Sequence, residues 1–178
     1  MTLDAGSGVL TLNGPAPGCT TYCLTASGQI ILTGTGIDLD NNKLTTGGAS
    51  AVTATASATA LSATGVTAVA GGAISFTASG ALLDATAAKL TSTTSTALTG
   101  VGVTLTNAKI TTLGTDQPIT VAAGTGALTA TGPGPTCATP YCIGASGPVT
   151  LSGASATLDG NTLQAGGASN LLKVTTTT

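Results

Sequence analysis

Four cysteines and one close pair of aspartates are the residues whose types and spacing could do chemistry in this chain of 178 residues. Cys19 and Cys23 enclose Thr20-Thr21-Tyr22, and Cys137 and Cys142 enclose Ala138-Thr139-Pro140-Tyr141. Each pair sits in a Pro/Gly-rich stretch, residues 14–23 and 132–142. Paired thiols can hold zinc, exchange electrons, anchor a haem or close a disulfide. Zinc takes four donors gathered at one point, and two thiolates without histidine make a poor site. A redox Cys-x-x-Cys has two intervening residues, not three or four, and haem attachment needs Cys-x-x-Cys-His. The chain contains no histidine. What remains is a disulfide within each loop, Cys19 with Cys23 and Cys137 with Cys142, set against free thiols. Disulfides belong to an oxidising compartment. A loop this short gains little chain entropy from closure, so the bond would stiffen a protruding loop. Tyr22 and Tyr141 are the only tyrosines. On such a loop they are candidate contact residues for a partner, or their rings pack on the wall of the fold.

Asp38 and Asp40 flank Leu39, with Lys43 nearby. Two carboxylates on one face could serve acid–base work or hold Ca²⁺. Their counterparts 119 residues later are Thr157 and Asp159, so the pair is not kept within the chain, and they read as solvated face residues. Little other chemistry is available. There are four Lys, six Asp, no Arg, no Glu and no Trp, with a net charge of −2. That inventory offers no imidazole base, no acidic and basic cleft, and no footprint for nucleic acid. The expectation is a protein that is not an enzyme and carries no cofactor and no metal.

The elements must then explain why 39 Thr, 30 Ala and 26 Gly fill more than half of the chain. With 42% hydrophobic residues it is not a disordered composition, no apolar run approaches membrane-helix length, and no signal peptide is visible at Met1. Internal repeats answer the question. Residues 2–51 and 120–170 share 26 identities over 50 aligned positions, a super-repeat of 118 to 119 residues. Inside it lies a shorter period. Leu39, Leu61, Leu83 and Leu105 recur every 22 residues, followed by Leu128 and Leu158. Leu32, Ala54, Phe76, Leu98, Val121 and Leu151 precede them by seven, and Ile30, Val52, Ile74, Thr96, Ile119 and Val149 by nine. Each unit reads as three short alternating segments separated by turn formers such as Gly47-Gly48 and Gly71-Gly72. One unit cannot bury its own apolar side, whereas stacked units can.

The pattern predicts an all-β fold, a single-stranded parallel β-helix of triangular section, with about 22 residues per coil and about eight coils. At roughly 4.8 Å per coil the rod would be about 38 Å long, and the two cysteine pairs, five coils apart, would lie about 24 Å from each other. Residues 1–178 form one continuous solenoid: 1–25 and 119–144 carry the loop insertions, 26–118 are regular coils, and 145–178 start the second copy. An antiparallel sandwich has no reason to keep a 22-residue register.

Units such as GGAISFTASGALLDATAAKLTS, residues 71–92, resemble the repeats of filamentous haemagglutinin-like proteins. The resemblance implies a right-handed β-helical stalk of a large secreted bacterial adhesin, at the cell surface or outside the cell, with a possible host-cell or matrix ligand. The expected function is therefore structural: a segment of an extracellular fibre. The fibre would grow by continuation in a giant repeat polypeptide or by head-to-tail stacking of uncapped ends, with self as partner, no nucleic acid and no membrane insertion. The alternative is an ice-binding solenoid with an outward Thr face. On the first strand of each coil that face reads Ile31/Thr33, Thr53/Thr55, Ser75/Thr77, Ala97/Thr99, Thr120/Ala122 and Thr150/Ser152, with one true Thr-x-Thr.

Overall fold

The computed structural model describes residues 1–12, 23–132, 142–168 and 171–177. Among them every regular element is a strand and every pairing is parallel, so the chain is an all-β solenoid. Three faces recur in each turn. The first is a ladder of eight strands: β1 (Thr2–Asp4), β4 (Ile30–Gly34), β7 (Val52–Ala56), β10 (Ile74–Asp84), β12 (Thr96–Thr104), β14 (Ile119–Ala122), β17 (Val149–Gly153) and β20 (Leu172–Thr176). The second holds β2 (Val9–Thr11), β5 (Gly36–Asp38), β8 (Leu61–Ser62), the distal halves of β10 and β12, β15 (Ala127–Thr129) and β18 (Ser155–Thr157). The third is a separate sheet of seven strands: β3 (Leu24–Ala26), β6 (Lys43–Thr46), β9 (Thr67–Ala70), β11 (Lys89–Ser92), β13 (Lys109–Thr112), β16 (Ile143–Gly144) and β19 (Leu163–Gln164). The first ladder has eight rungs, but the solenoid has about six turns, roughly 29 Å of rod, fewer than the eight coils expected. Leu3, Leu10, Leu12 and Leu24 at one end, and Leu158 and Leu163 at the other, are only partly covered.

Period-two alternation builds the interior. Along the first face the inward columns are Ile30–Val52–Ile74–Thr96–Ile119–Val149 and Leu32–Ala54–Phe76–Leu98–Val121–Leu151. All of these are at most 1% exposed, so these two predicted columns hold. The small Ala54 sits beside Phe76, the one aromatic side chain in the core among the described residues, which evens out the volume of neighbouring turns.

The leucine column does not hold. Register pairs Leu61 with Ile37 and Leu83, and Leu83 with Val103, not Leu39 or Leu105. The six leucines are shared between two adjacent inward columns: Leu61, Leu83 and Leu128 in the first, Leu39, Leu105 and Leu158 in the second. The corner between the first two faces causes this. It is tight at Gly34-Thr35-Gly36 and Gly100-Val101-Gly102, and two residues longer at 57–60 and 79–82, where the ladder shifts register between Ala78 and Leu82. A Cβ on Gly34 would lie 2.9 Å from the Gly36 carbonyl, and one on Gly100 2.5 Å from the Gly102 carbonyl. Only glycine makes the short corner. Tight-corner turns therefore begin the second face with Ile37 or Val103 and place the leucine next, while long-corner turns begin with the leucine and follow it with Ala63, Ala85 or Ala130. On the third face Leu44, Ala68, Leu90, Ile110, Ile143 and Leu163 form one column, with Val66 and Ala88 in its neighbour.

The second corner turns through a left-handed residue: Asn41 (φ 59°), Gly65 (φ 67°), Ala87 (φ 55°), Asn107 (φ 56°) and Gly160 (φ 62°). Gly and Asn carry this conformation cheaply and Ala does not. At the third corner, buried hydroxyls fasten the loop to the wall: Thr46 Oγ1 donates to the Ser50 carbonyl (2.6 Å), Thr112 Oγ1 to the Gln117 carbonyl (2.9 Å), and Ser92 and Thr96 pair with each other (2.9 Å). The small side chains at the ends of the third-face strands thus satisfy polar groups that an aliphatic residue would leave unpaired.

Candidate functional surface

With the core filled, what the rod offers is three ladders of outward side chains, each set by alternation. The first face presents Thr2, Ile31, Thr53, Ser75, Ala97, Thr120, Thr150 and Lys173 in one column. The next column is Asp4, Thr33, Thr55, Thr77, Thr99, Ala122, Ser152 and Thr175. Between Asp4 at one end and Lys173 at the other it is uncharged.

The second face carries the hydroxyl array that the sequence left hidden. Its columns are Asp38–Ser62–Asp84–Thr104–Thr129–Thr157 and Asp40–Thr64–Thr86–Thr106–Thr131–Asp159. Two adjacent turns are true Thr-x-Thr, at Thr104/Thr106 and Thr129/Thr131. The Thr-x-Thr in 103–106 and in 128–131 was the available signal. It was obscured because the fixed 22-residue spacing put these threonines in the wrong columns. The carboxylates here are engaged in structure. Asp38 Oδ1 accepts from the Asp40 N–H (3.1 Å), and Asp40 Oδ1 accepts from Ser62 Oγ (2.6 Å) and the Thr64 N–H (3.0 Å) of the next turn. Asp84 Oδ1 accepts from the Thr86 N–H (2.9 Å) and hydroxyl (2.7 Å). These are turn closures and bonds between turns. Asp4 does the same on the first face, accepting from the Gly6 N–H (2.9 Å) and Thr33 Oγ1 (2.8 Å), and these bonds hold its carboxyl below the ordinary value of 3.8.

The third face begins with an outward column Lys43–Thr67–Lys89–Lys109, three of the four lysines in the chain. Acidic groups therefore concentrate on the second face and basic ones on the third.

The cysteine loops share one corner. The described chain leaves the second face at Leu12 and rejoins the third at Cys23, and five rungs later leaves at Gly132 and rejoins at Cys142. Cys142 is fully buried and Cys23 half-buried. Among the described residues no cysteine is a free thiol. Cys19, Cys137, Tyr22 and Tyr141 lie outside the described residues, and with them the expected pairing and contact loop. No group of three or more metal-ligating side chains occurs among the described residues.

No family model matches the chain, and no curated protein or solved structure is detectably similar to it.

Proposed function

We propose that the chain is a structural segment of an extracellular β-solenoid fibre or adhesin stalk. One observation carries the reading. The super-repeat returns each element to the same face five rungs on: β1 to β14, β2 to β15, β3 to β16, β4 to β17, β5 to β18 and β6 to β19. A unit that closes on its own register can be repeated without limit, adding about 24 Å of rod per copy. Continuation in one long polypeptide uses this property directly, and end-to-end stacking of copies uses the same parallel pairing. Within this reading Cys19 pairs with Cys23 and Cys137 with Cys142, stiffening a loop that recurs on one corner. Tyr22 and Tyr141 then offer a periodic contact for a cell-surface or matrix ligand, and the location is outside the cell, in line with the resemblance to filamentous haemagglutinin-like stalks. Chains carrying one, two and three copies of residues 1–118, measured by negative-stain electron microscopy and small-angle scattering, should lengthen by about 24 Å per copy. A length that does not rise with copy number overturns the reading. Peptide mapping under non-reducing conditions tests the two pairings.

A second reading, ice binding, is favoured by the Thr104/Thr106 and Thr129/Thr131 array on the second face, where hydroxyls and methyls repeat about every 4.8 Å along the rod. It requires inhibition of ice recrystallisation that Thr106→Lys and Thr131→Lys abolish. Unchanged ice growth in the presence of the wild-type chain removes it.

A further inference from the structure

The first face is an unbroken ladder of eight strands, and its charges are arranged in a way the stalk reading does not use. Across eight rungs only two outward side chains are ionic, Asp4 on β1 and Lys173 on β20, one at each end. Everything between is Thr, Ser, Ala or Ile. We infer that this face is an interface between two copies of the chain, docked face to face and antiparallel about a two-fold axis.

Reversal is what the charges select. In a parallel dimer, with the two-fold axis along the rod, the two Asp4 stand one outward position apart, and so do the two Lys173. In the antiparallel arrangement, with the two-fold axis along the strand direction, each outward column faces its own copy reversed. Lys173 then stands over Thr2 of the other molecule, one outward position from Asp4, and the pair forms twice. Asp4 keeps its charge to lower pH than an ordinary carboxylate because its Gly6 and Thr33 bonds stabilise the ionised form. The centre of the interface falls between β10 and β12, where Ser75/Thr77 of one copy meet Ala97/Thr99 of the other. No charge must be desolvated there, and the small side chains of the two ladders interdigitate in the manner of a dry sheet interface.

The area suffices for a weak, specific dimer. Eight strands about 4.8 Å apart and five residues of about 3.3 Å wide cover about 600 Å² per copy, or about 1,200 Å² in total. That is the lower end of specific interfaces. The proposal is independent of end-to-end growth, which lengthens the rod, whereas this contact thickens it and stops at two.

Sedimentation equilibrium of the intact, oxidised chain over a concentration series, with small-angle scattering of the associated species, tests it. The expected result is a monomer–dimer equilibrium whose dimer is twice as thick and no longer. Asp4→Lys and Lys173→Asp should each weaken it about tenfold, and the double swap should restore it, because both reversals again place opposite charges together. Ala97→Glu, which brings two carboxylates into the uncharged centre, should abolish dimerisation while circular dichroism confirms the fold. A monomer at every concentration, association that lengthens the rod without thickening it, or a dimer indifferent to both Ala97→Glu and the charge swap would each overturn the proposal.

Discussion

The two copies of the super-repeat place nearly the same residues in opposite environments. In the opening turn of the first copy Leu3, Leu10, Leu12 and Leu24 are half-buried. Their equivalents in the second copy, Val121, Leu128, Ala130 and Ile143, are at most 1% exposed. In the following turn the order reverses: Leu39 and Leu44 are fully buried, whereas Leu158 and Leu163 are half-buried. Residue identity does not decide burial here. Each inward side chain is covered by its own turn and by the turns on either side, and a turn at the end of the stack has only one neighbour. Stability in such a rod is a sum of turn and interface contributions, so the value of a leucine depends on its position along the stack.

Substituting equivalent positions would break or sharpen that comparison. Leu39→Ala should cost about 3 kcal/mol in urea-induced unfolding, as for a fully enclosed leucine, and Leu158→Ala only about 1 kcal/mol. Equal losses would mean that the half-buried turn is as well packed as the interior one. Next in size is the tight corner. Gly100→Ala drives a methyl to 2.5 Å from the Gly102 carbonyl and 3.1 Å from Leu83, and should cost about 2 kcal/mol. Its register partner Ala78, on a long corner, already carries that methyl, so Ala78→Gly should be far milder. At the second corner Ala87 holds φ 55° between Gly65 and Asn107. Ala87→Gly should therefore raise the free energy of urea-induced unfolding by about 0.5 kcal/mol after the entropy of a freer unfolded chain is subtracted.

The smallest expected difference is electrostatic. Asp4 fastens the opening turn of the first copy to Thr33, while its equivalent in the second is Ala122. Because its carboxyl is held below 3.8, its bonds contribute above the unfolded-state value and are lost as the pH falls through the folded one. Amide spectra of Gly6 and Thr33 should shift together on the acid side of 3.8, and Asp4→Asn should remove that transition while leaving the turns around Ala122 unmoved.

Much of the fold was legible without coordinates. The Ile30 and Leu32 columns follow from alternation alone, and the parallel stacking follows from a period that an antiparallel sheet would not keep. The error lay in treating the regular leucines as one column. Gly-x-Gly stands at 34–36 and 100–102, but a glycine pair signals a turn and not its length. Two residues gained or lost at one corner are returned at another, so the total stays near 22 while the register in between moves. The second-face threonines went unnoticed for the same reason. The aspartates read correctly as face residues, yet their bonds to the next turn depend on which residue stands above, and that is a product of register. Asn42 and Asn161 occupy equivalent repeat positions with different outcomes. Asn161 Nδ2 donates to the Ala130 carbonyl, while Asn42 Nδ2 is buried and finds no partner among the described residues.

By itself, the sequence determined the class of fold, the three segments per turn, the five-turn super-repeat and the poverty of reactive groups, because each is written in spacing and composition. Tertiary structure alone decided the number of closed turns, which leucines share a column, and how charge divides among the faces. Those properties arise when one turn is laid on the next, and a shift of two residues at a glycine corner changes every contact that follows without changing the repeat that produced it.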